Sequence, residues 1–263
     1  YGPGVSLDDV ANPTRFHCHT KVATRYREGR ALLAGDAAHV VSPSQGHGMN
    51  TGIQDSFNLA WKMAMVCHGH ADESLLDSYE AERRPVAQRV AASGDDFEST
   101  QGILDEAGRG ERNGAIRDAY ANEESRRQEV LAEAELNISY AGSPIVIGGE
   151  PVEGPGAGDR FVDPAFEMPT GFGHTLLVVA HGEDLAAEAV ASLDPKVSRA
   201  FESTVTLGPD SGAPDRLGVE VASFFAIRPD GHVGCRSDGA GTQPIEDYVD
   251  LLRAGGRGAA EGN

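Results

Sequence analysis

Cysteine is scarce in this sequence of 263 residues. The three cysteines, Cys18, Cys67 and Cys235, are too few and too far apart for a disulfide framework. They also form no Cys-x-x-Cys pair, which argues against disulfide chemistry. Because reduced thiols are typical of the cytoplasm, we expect a cytoplasmic protein.

Basic residues are also in short supply. The chain has 22 Lys and Arg against 41 Asp and Glu, a net charge of −19 with neutral histidines. Nucleic-acid binding needs clustered Lys and Arg to neutralise phosphates, so this balance argues against that class of function. It also disfavours docking on an anionic membrane surface.

Long apolar runs are absent as well. No run approaches the roughly 18 residues of a membrane span. No basic segment followed by an apolar run opens the chain, so we expect no signal peptide. The first residue is Tyr1 instead of Met, which predicts a chain that was cut or processed at its N-terminus. The remaining composition, 40% hydrophobic and 24% charged, is ordinary for a soluble globular protein.

The first part of the chain, residues 1–150, is expected to contain long helices. Ile53, Phe57 and Trp61 recur at helical spacing and predict one apolar face. Asp72 is a candidate N-cap, and an interior Pro85 predicts a kink or a restart. The predicted elements are strands over 15–23 and 30–34, a loop over 43–48, helices over 50–67 and 72–97, and a solvated helix over 108–137.

The second part, residues 151–263, follows a Gly- and Pro-rich linker over 148–158. Its pattern is strand, helix, strand, then a hairpin around Pro229-Asp230-Gly231, then a closing helix. This order predicts a small α/β domain of the thioredoxin kind, with a frayed tail from Gly255. The predicted elements are strands over 175–180 and 203–207, a hairpin over 222–236, and helices over 183–193 and 244–253.

The stretch from Gly29 to Lys62 carries the chemistry. A buried strand would deliver Asp36 at its carboxyl end, where α/β folds place ligands. Its carboxylate could accept hydrogen bonds from two hydroxyls of a sugar or polyol chain. Gly46 and Gly48 would let the backbone approach a ligand just before a helix N-terminus, which favours an acceptor oxygen or developing negative charge. Asn50 could cap that helix or bind the ligand.

Each feature also has an ordinary structural interpretation. A Gly-Asp after a strand is usually only a turn, and Trp61 and Phe57 are more often core residues than ligand contacts. His39 and His47 show no metal-ligand spacing, so no metal site is predicted. What favours a ligand site is the occurrence of the whole string in order.

This string resembles the second FAD-binding motif of the class A flavoprotein monooxygenases, the aromatic hydroxylases related to phenol hydroxylase and p-hydroxybenzoate hydroxylase. The 79–87 segment (YEAERRPVA) is similar to the helix that follows this motif, and residues 225–232 (FAIRPDGH) resemble the family's thioredoxin-like C-terminal domain. The similarity covers nearly the whole chain. The motif residues are Gly35-Asp36, Ala37-Ala38-His39, Pro43, Gly46-His47-Gly48-Met49-Asn50, Asp55 and Leu59-Ala60-Trp61-Lys62.

The resemblance implies an α/β fold: part of an FAD-binding Rossmann-like domain with long helices, plus a thioredoxin-like domain. It implies FAD as cofactor, NADPH or NADH as reductant and an aromatic or polyketide substrate. Asp36 would hold ribityl hydroxyls, and Pro43 would lie at the boundary between flavin and substrate. Gln45 and His47 are candidates for substrate contacts, and no nucleophile or general base is assigned. The implied flavin-binding residues are Gly35, Asp36, Pro43, Gly46, His47, Gly48, Met49 and Asn50.

Two family motifs are missing. We find neither the Gly-x-Gly-x-x-Gly that cradles the FAD pyrophosphate nor the Asp-Gly motif that contacts FAD and NAD(P)H. The chain therefore resembles the C-terminal half of a longer protein, and the N-terminal half would be its partner; a homodimer stays open. Two alternatives remain: a sister flavoenzyme such as a halogenase or epoxidase, or a non-catalytic split subunit that keeps the fold without tight flavin binding.

Overall fold

The computed structural model describes residues 19–43, 46–101, 106–148, 153–169, 171–239 and 241–256. These residues combine long helices with short and long strands, which confirms the predicted mixed α/β class. Of the strand predicted over 15–23, residues 15–18 lie outside the described residues, and the remainder contains strand β1, Lys21–Val22. No helix in these ranges is long and apolar enough to cross a bilayer.

The prediction of a buried strand over 30–34 is wrong. Only Ala31–Leu32 (β3) forms a strand there, and it pairs antiparallel with Arg27–Glu28 (β2). Gly29, at a φ of +56°, reverses the chain between them, so the apolar residues lie in a tight hairpin and do not form a buried strand. A second pair joins β1 to His39–Val40 (β4).

Helix α1 spans Gly48–Cys67 and starts two residues earlier than predicted. The predicted apolar face is wrong, because Ile53 and Phe57 are 50% and 62% exposed. Trp61 is buried, as expected for a core residue. The buried face of α1 is instead largely polar and consists of Thr51, Asp55, Asn58, Trp61 and Lys62.

Helix α2, Asp77–Gln101, continues through Pro85 as one helix, so the predicted alternative of a restart at Pro85 is wrong. Val86 and Ala87 are buried beside Pro85, and this packing compensates for the hydrogen bond that proline cannot donate. A short 3₁₀ turn, Glu73–Leu76, leads into α2, and Asp72 caps it by accepting from Ser74 N, as predicted.

The charged segment over 108–137 forms two helices instead of one. These are α3, Glu106–Ala119, and α4, Glu123–Glu133. Asn122 separates them because its side chain accepts from Ser125 N at 2.7 Å and caps α4. Most of their described side chains are exposed, as predicted for a solvated segment.

The C-terminal part is built on a four-stranded sheet in the order β6-β5-β7-β8. Strand β5 runs parallel to β6 and antiparallel to β7, and β7 and β8 form the predicted hairpin. The strands are β5 (Thr175–Ala180), β6 (Ser203–Leu207), β7 (Ala222–Ile227) and β8 (Val233–Asp238). The helices are α5 (Glu183–Ala191), α6 (Pro195–Ser198), α7 (Ala213–Arg216) and α8 (Gln243–Arg253).

This sheet is covered on both faces. Alternate residues of β5 point to opposite sides, so Leu176 and Val178 enter one core while Leu177 and Val179 enter another. The first core also contains Trp61 of α1 and Leu75. The N-terminal helices are therefore packed directly on the C-terminal sheet.

The segment predicted as a linker partly packs on this sheet. Gly158 N donates to Val233 O at 2.7 Å, and Ile147, directly before the segment, bridges to Cys235. Residues 149–152 of that segment lie outside the described residues, as do residues 257–263 of the tail expected to fray. The described end of the tail, Gly255 and Gly256, still hydrogen-bonds to the last turn of α8.

A buried charge cluster joins the helices to the sheet. Glu82 of α2 accepts from Lys62 Nζ at 2.7 Å and from both terminal nitrogens of Arg228 at 2.8 Å. Arg228 also donates to Asp230 at 2.5 Å. Burial lowers the pKa of Lys62 to about 8, and Glu82 opposes this effect. We call Lys62, Glu82, Arg228 and Asp230 the charge cluster.

We expect Glu82→Gln to lower the free energy of unfolding by about 3–5 kcal/mol at pH 7, because it removes the carboxylate of the buried Lys62 and leaves the buried Arg228 with Asp230 alone. Urea denaturation followed by circular dichroism would measure this change. Glu73→Gln is the matched control. Its carboxylate pairs with Arg27 at an exposed site and should contribute no more than about 1 kcal/mol. A loss for Glu82→Gln as small as that of the control would contradict the prediction.

Candidate functional site

The predicted Gly-Asp motif lies in a single 3₁₀ turn, Gly35–Ala37. Gly35 adopts a φ of +56°, which a residue with a Cβ rarely does. Ala38 N closes the turn by donating to Gly35 O at 2.8 Å. Asp36 is exposed at this turn, so its carboxylate is available to a ligand.

The side chain of Asp55, on α1, holds this turn in place. It is fully buried, and its Oδ2 accepts from Gly35 N at 3.1 Å and lies 2.7 Å from His39 Nε2. Its Oδ1 accepts from Arg83 Nε at 2.7 Å. Burial alone would raise the pKa of Asp55, but the hydrogen bond from His39 and the charge of Arg83 lower that pKa overall. Both His39 and Asp55 therefore fix the motif and do not face a ligand.

Arg83 extends this anchor along α2. Its Nη2 donates to Thr51 O at 3.0 Å and its Nη1 to Tyr140 Oη at 2.9 Å, so one guanidinium connects α1, α2 and the segment after α4. Arg83 and Glu82 are neighbours in sequence, so α2 holds the Asp55 anchor and the charge cluster with two consecutive side chains.

The turn also touches α1 directly. A Cβ placed on Gly52 would lie 3.3 Å from Gly35 Cα, closer than ordinary van der Waals contact. Glycine at both positions allows the backbone of the turn to pack on the second turn of α1. The Gly35–Asp36 turn and the start of α1 are therefore one structural unit, as the predicted ligand site requires.

The loop between them is closed by a hydrogen bond from Gly46 N to Pro43 O at 3.1 Å, with Gly46 at a φ of +73°. Ser44 and the predicted substrate contact Gln45 lie outside the described residues. His47 is the N-cap residue of α1 but makes no side-chain cap. Asn50 lies within the first helical turn, so the alternative that it caps the helix is wrong.

The start of α1 is thus open to a ligand. Gly46, Met49 and Asn50 are exposed, and no acidic residue of α1 occupies its first turn. The first N–H groups and the positive end of the helix dipole can therefore interact with an acceptor oxygen or an anionic group.

Sequence reasoning missed Glu135, which also supports the first half of α1. It is buried at a φ of +53°, and its carboxylate accepts from Thr51 Oγ1 at 2.9 Å and Gln54 Nε2 at 2.7 Å. His47 Nδ1 lies 3.7 Å from it. Nothing in the local pattern marks Glu135, because its partners are more than 80 residues away.

Comparisons with known proteins relate the segment that contains this site to a flavin-binding family. Residues 3–93 match the model of the FAD binding domain family. The chain is 50% identical over 92 residues to 6-methylpretetramide 4-monooxygenase of Streptomyces rimosus, and 53% identical over 85 residues to pentachlorophenol 4-monooxygenase of Sphingobium chlorophenolicum. These alignments cover 35% and 32% of this chain but only 16% of each relative.

A solved structure extends the similarity to the rest of the chain. The rebeccamycin biosynthetic enzyme RebC with reduced flavin is 31% identical and matches with a TM-score of 0.62. The chain is related to the FAD-dependent monooxygenases. The match covers 91% of this chain and 48% of RebC, so this relative of the flavin monooxygenases spans about half the length of that protein. The predicted resemblance is confirmed.

We expect Asp55→Asn to lower the free energy of unfolding of this protein by about 3 kcal/mol at neutral pH, because Arg83 loses its buried carboxylate. The folded pKa of Asp55 is lowered, so its contribution is present above the unfolded value of about 4 and is lost as pH falls through the folded value. The difference between wild type and variant should therefore shrink below about pH 4. Urea denaturation across pH would measure it.

Asp77→Asn is the matched control, since Asp77 pairs with Arg27 at an exposed site. It should change the free energy of unfolding by about 1 kcal/mol or less. A difference between wild type and Asp55→Asn that stays constant down to pH 3 would contradict the assignment.

Proposed function

We propose that this chain is the C-terminal portion of an FAD-dependent, NAD(P)H-consuming monooxygenase that hydroxylates an aromatic or polyketide substrate. One observation carries the proposal: the exposed Asp36 lies in a turn that Asp55 fixes onto the open start of α1. The names of the matched relatives, which act as monooxygenases on 6-methylpretetramide and pentachlorophenol, support the reaction class. We place the protein in the cytoplasm.

The residues present fit FAD. Asp36 would accept hydrogen bonds from ribityl hydroxyls, and the backbone of 46–50 would hold the pyrimidine edge of the isoalloxazine. Pro43 would lie at the boundary with the substrate, beside Gln45 and His47. FAD, when bound, supplies the redox chemistry that activates dioxygen. The chain contributes orientation, and the positive end of the α1 dipole stabilises negative charge that develops beside it.

The N-terminal half of the protein would be the partner of this portion. Met49, Ile53 and Phe57 follow one another at four-residue intervals on α1 and are 73%, 50% and 62% exposed. Such an apolar stripe next to a flavin motif is suited to packing against the rest of a flavin domain. We propose that the pyrophosphate site and part of the NAD(P)H contacts come from that half.

We also propose that residues 151–263 form a thioredoxin-like domain without redox activity. The strand order β6-β5-β7-β8, with β5 and β6 parallel and β7 and β8 antiparallel, supports this assignment. The thiol of Cys235 is buried and its pKa is raised to about 12 by burial, which disfavours a reactive thiolate.

The second candidate is a non-catalytic split subunit that keeps the fold without tight flavin binding. The missing Gly-x-Gly-x-x-Gly and the net charge of −19 favour it, because both disfavour an anionic cofactor. Bound yellow flavin in the protein that contains both halves would reject this alternative.

We expect Asp36→Ala in the full-length protein to weaken FAD binding about tenfold or more, since each lost hydrogen bond to a charged acceptor costs about 1.5–3 kcal/mol. Flavin fluorescence titration would measure the affinity. Asp210→Ala is the control, because Asp210 is an exposed aspartate in another 3₁₀ turn, Pro209–Ser211. Equal affinities of wild type and a folded Asp36→Ala would reject the ribityl role.

We expect these 263 residues alone to be colourless or to lose FAD readily, and to show no NADPH-dependent hydroxylation. A ring contact at 46–50 without a pyrophosphate site should bind only weakly. Addition of the N-terminal half, in one chain or as a partner, should restore both properties. Absorbance at the flavin bands and NADPH oxidation with substrate would measure them. Stoichiometric, tight FAD on the 263 residues would show that the cofactor is held elsewhere.

A further inference from the structure

Helix α1 has two functionally different ends. Its first turn belongs to the candidate flavin site, whereas its third and fourth turns contact the β7–β8 turn of the C-terminal sheet. Asn58 Nδ2 and Trp61 Nε1 donate to Asp230 Oδ2 at 3.2 and 3.1 Å. The eight residue steps from Asn50 to Asn58 rise about 12 Å along the helix, so a rigid α1 would transmit a change at one end to the other.

The β7–β8 turn is itself well fixed. Arg228 N donates to His232 O at 2.8 Å and Gly231 N to Arg228 O at 2.9 Å. The Arg228 guanidinium is fully buried over the rings of Trp61 and Tyr140, at 5.1 and 5.2 Å from their centroids. It also reaches α2 through both oxygens of Glu82. One turn of the sheet therefore contacts both α1 and α2.

The chemistry of this contact favours orientation over simple adhesion. Apolar side chains would hold α1 on the sheet but tolerate sliding and rotation. Asp230 instead accepts from two residues three positions apart on α1, which defines both the rotation and the axial position of the helix. Desolvated charges with such directional hydrogen bonds are best known for fixing register, and they do so at a cost in stability.

We propose that the β7–β8 turn is a positioning element for the flavin-loop end of α1, acting through Asp230 and Arg228. This rests on the proposed function for what α1 holds, although the positioning of α1 can be tested without flavin. It gives a thioredoxin-like domain that lacks a Cys-x-x-Cys a role in the activity of its neighbour.

The test uses Asp230→Asn in the 263-residue chain, which removes the charge and keeps the shape. Trp61 is the only tryptophan of the chain, so its fluorescence reports directly on the contact. Hydrogen exchange of amides 51–55 reports on the distant end of α1. We expect a red-shifted emission of Trp61 and exchange at 51–55 that is faster by about tenfold or more, with a smaller change in β5.

Asp163→Asn is the matched control. Asp163 is also buried and accepts from Arg216 through both oxygens at 2.8 and 3.0 Å, but this pair does not involve α1. It should leave Trp61 emission and exchange at 51–55 unchanged. Equal acceleration of exchange in α1 and β5 by Asp230→Asn, or unchanged exchange at 51–55, would overturn the positioning role.

If Asp230→Asn does not fold, Trp61→Phe provides a second test by hydrogen exchange, because it removes the donor to Asp230 and keeps an aromatic ring beside Arg228. In the full-length protein, Asp230→Asn should weaken FAD binding about tenfold although Asp230 lies outside the flavin motif. Unchanged FAD affinity with accelerated exchange would overturn the link to the flavin loop. A wild-type protein that binds no FAD would refute the proposed function alone, since the exchange result decides the positioning of α1.

Discussion

Two consecutive residues of α2, Glu82 and Arg83, hold the structure together. Arg83 binds Asp55, which in turn holds the Gly35–Asp36 turn, and Glu82 binds Lys62 and Arg228. Neighbouring residues on a helix point about 100° apart, so two consecutive side chains of one helix can bind two different partners. The candidate flavin site and the C-terminal sheet are therefore both held by the same part of α2.

This arrangement explains why the buried face of α1 is polar. An apolar face would adhere to α2 and to the sheet, but it would specify their relative position less strictly. Asn58 shows the difference: its amide nitrogen lies within hydrogen-bond distance of both Glu82 and Asp230, and its amide oxygen accepts from Lys62. The cost of desolvating these groups is offset only when every partner is in place, so the cluster tolerates few alternative arrangements.

Local patterns predicted the elements well and their partners poorly. The strands β5 to β8, the turn at Pro229-Asp230-Gly231 and helix α1 follow from periodicity and turn residues, which depend on neighbours in sequence. The helical spacing of Ile53 and Phe57 predicts an apolar face on α1. Spacing alone does not show whether another part of the described chain covers that face. Glu82 and Arg228 are 146 residues apart, and no local pattern encodes such a pair.

The same distinction applies to the candidate site. The motif resemblance predicts flavin contacts for Asp36 and the 46–50 backbone, but it predicts no physical role for His39 or Asp55, whose side chains point inward and hold the turn. Glu135, which approaches α1 from a segment without any motif, could not be found from sequence at all.

The two faces of α1 have different roles. Polar side chains on its buried face bond to α2, to Glu135 and to the β7–β8 turn. Its other face presents Met49, Ile53 and Phe57 to solvent beside an N-terminus at which the side chain of the N-cap residue His47 forms no cap. Exposed apolar groups gain free energy when covered, and free N–H groups gain it when an acceptor arrives. A ligand bound at 46–50 and a chain packed on the apolar stripe would therefore both contact α1. The contacts on the polar face of α1 set the orientation of that helix.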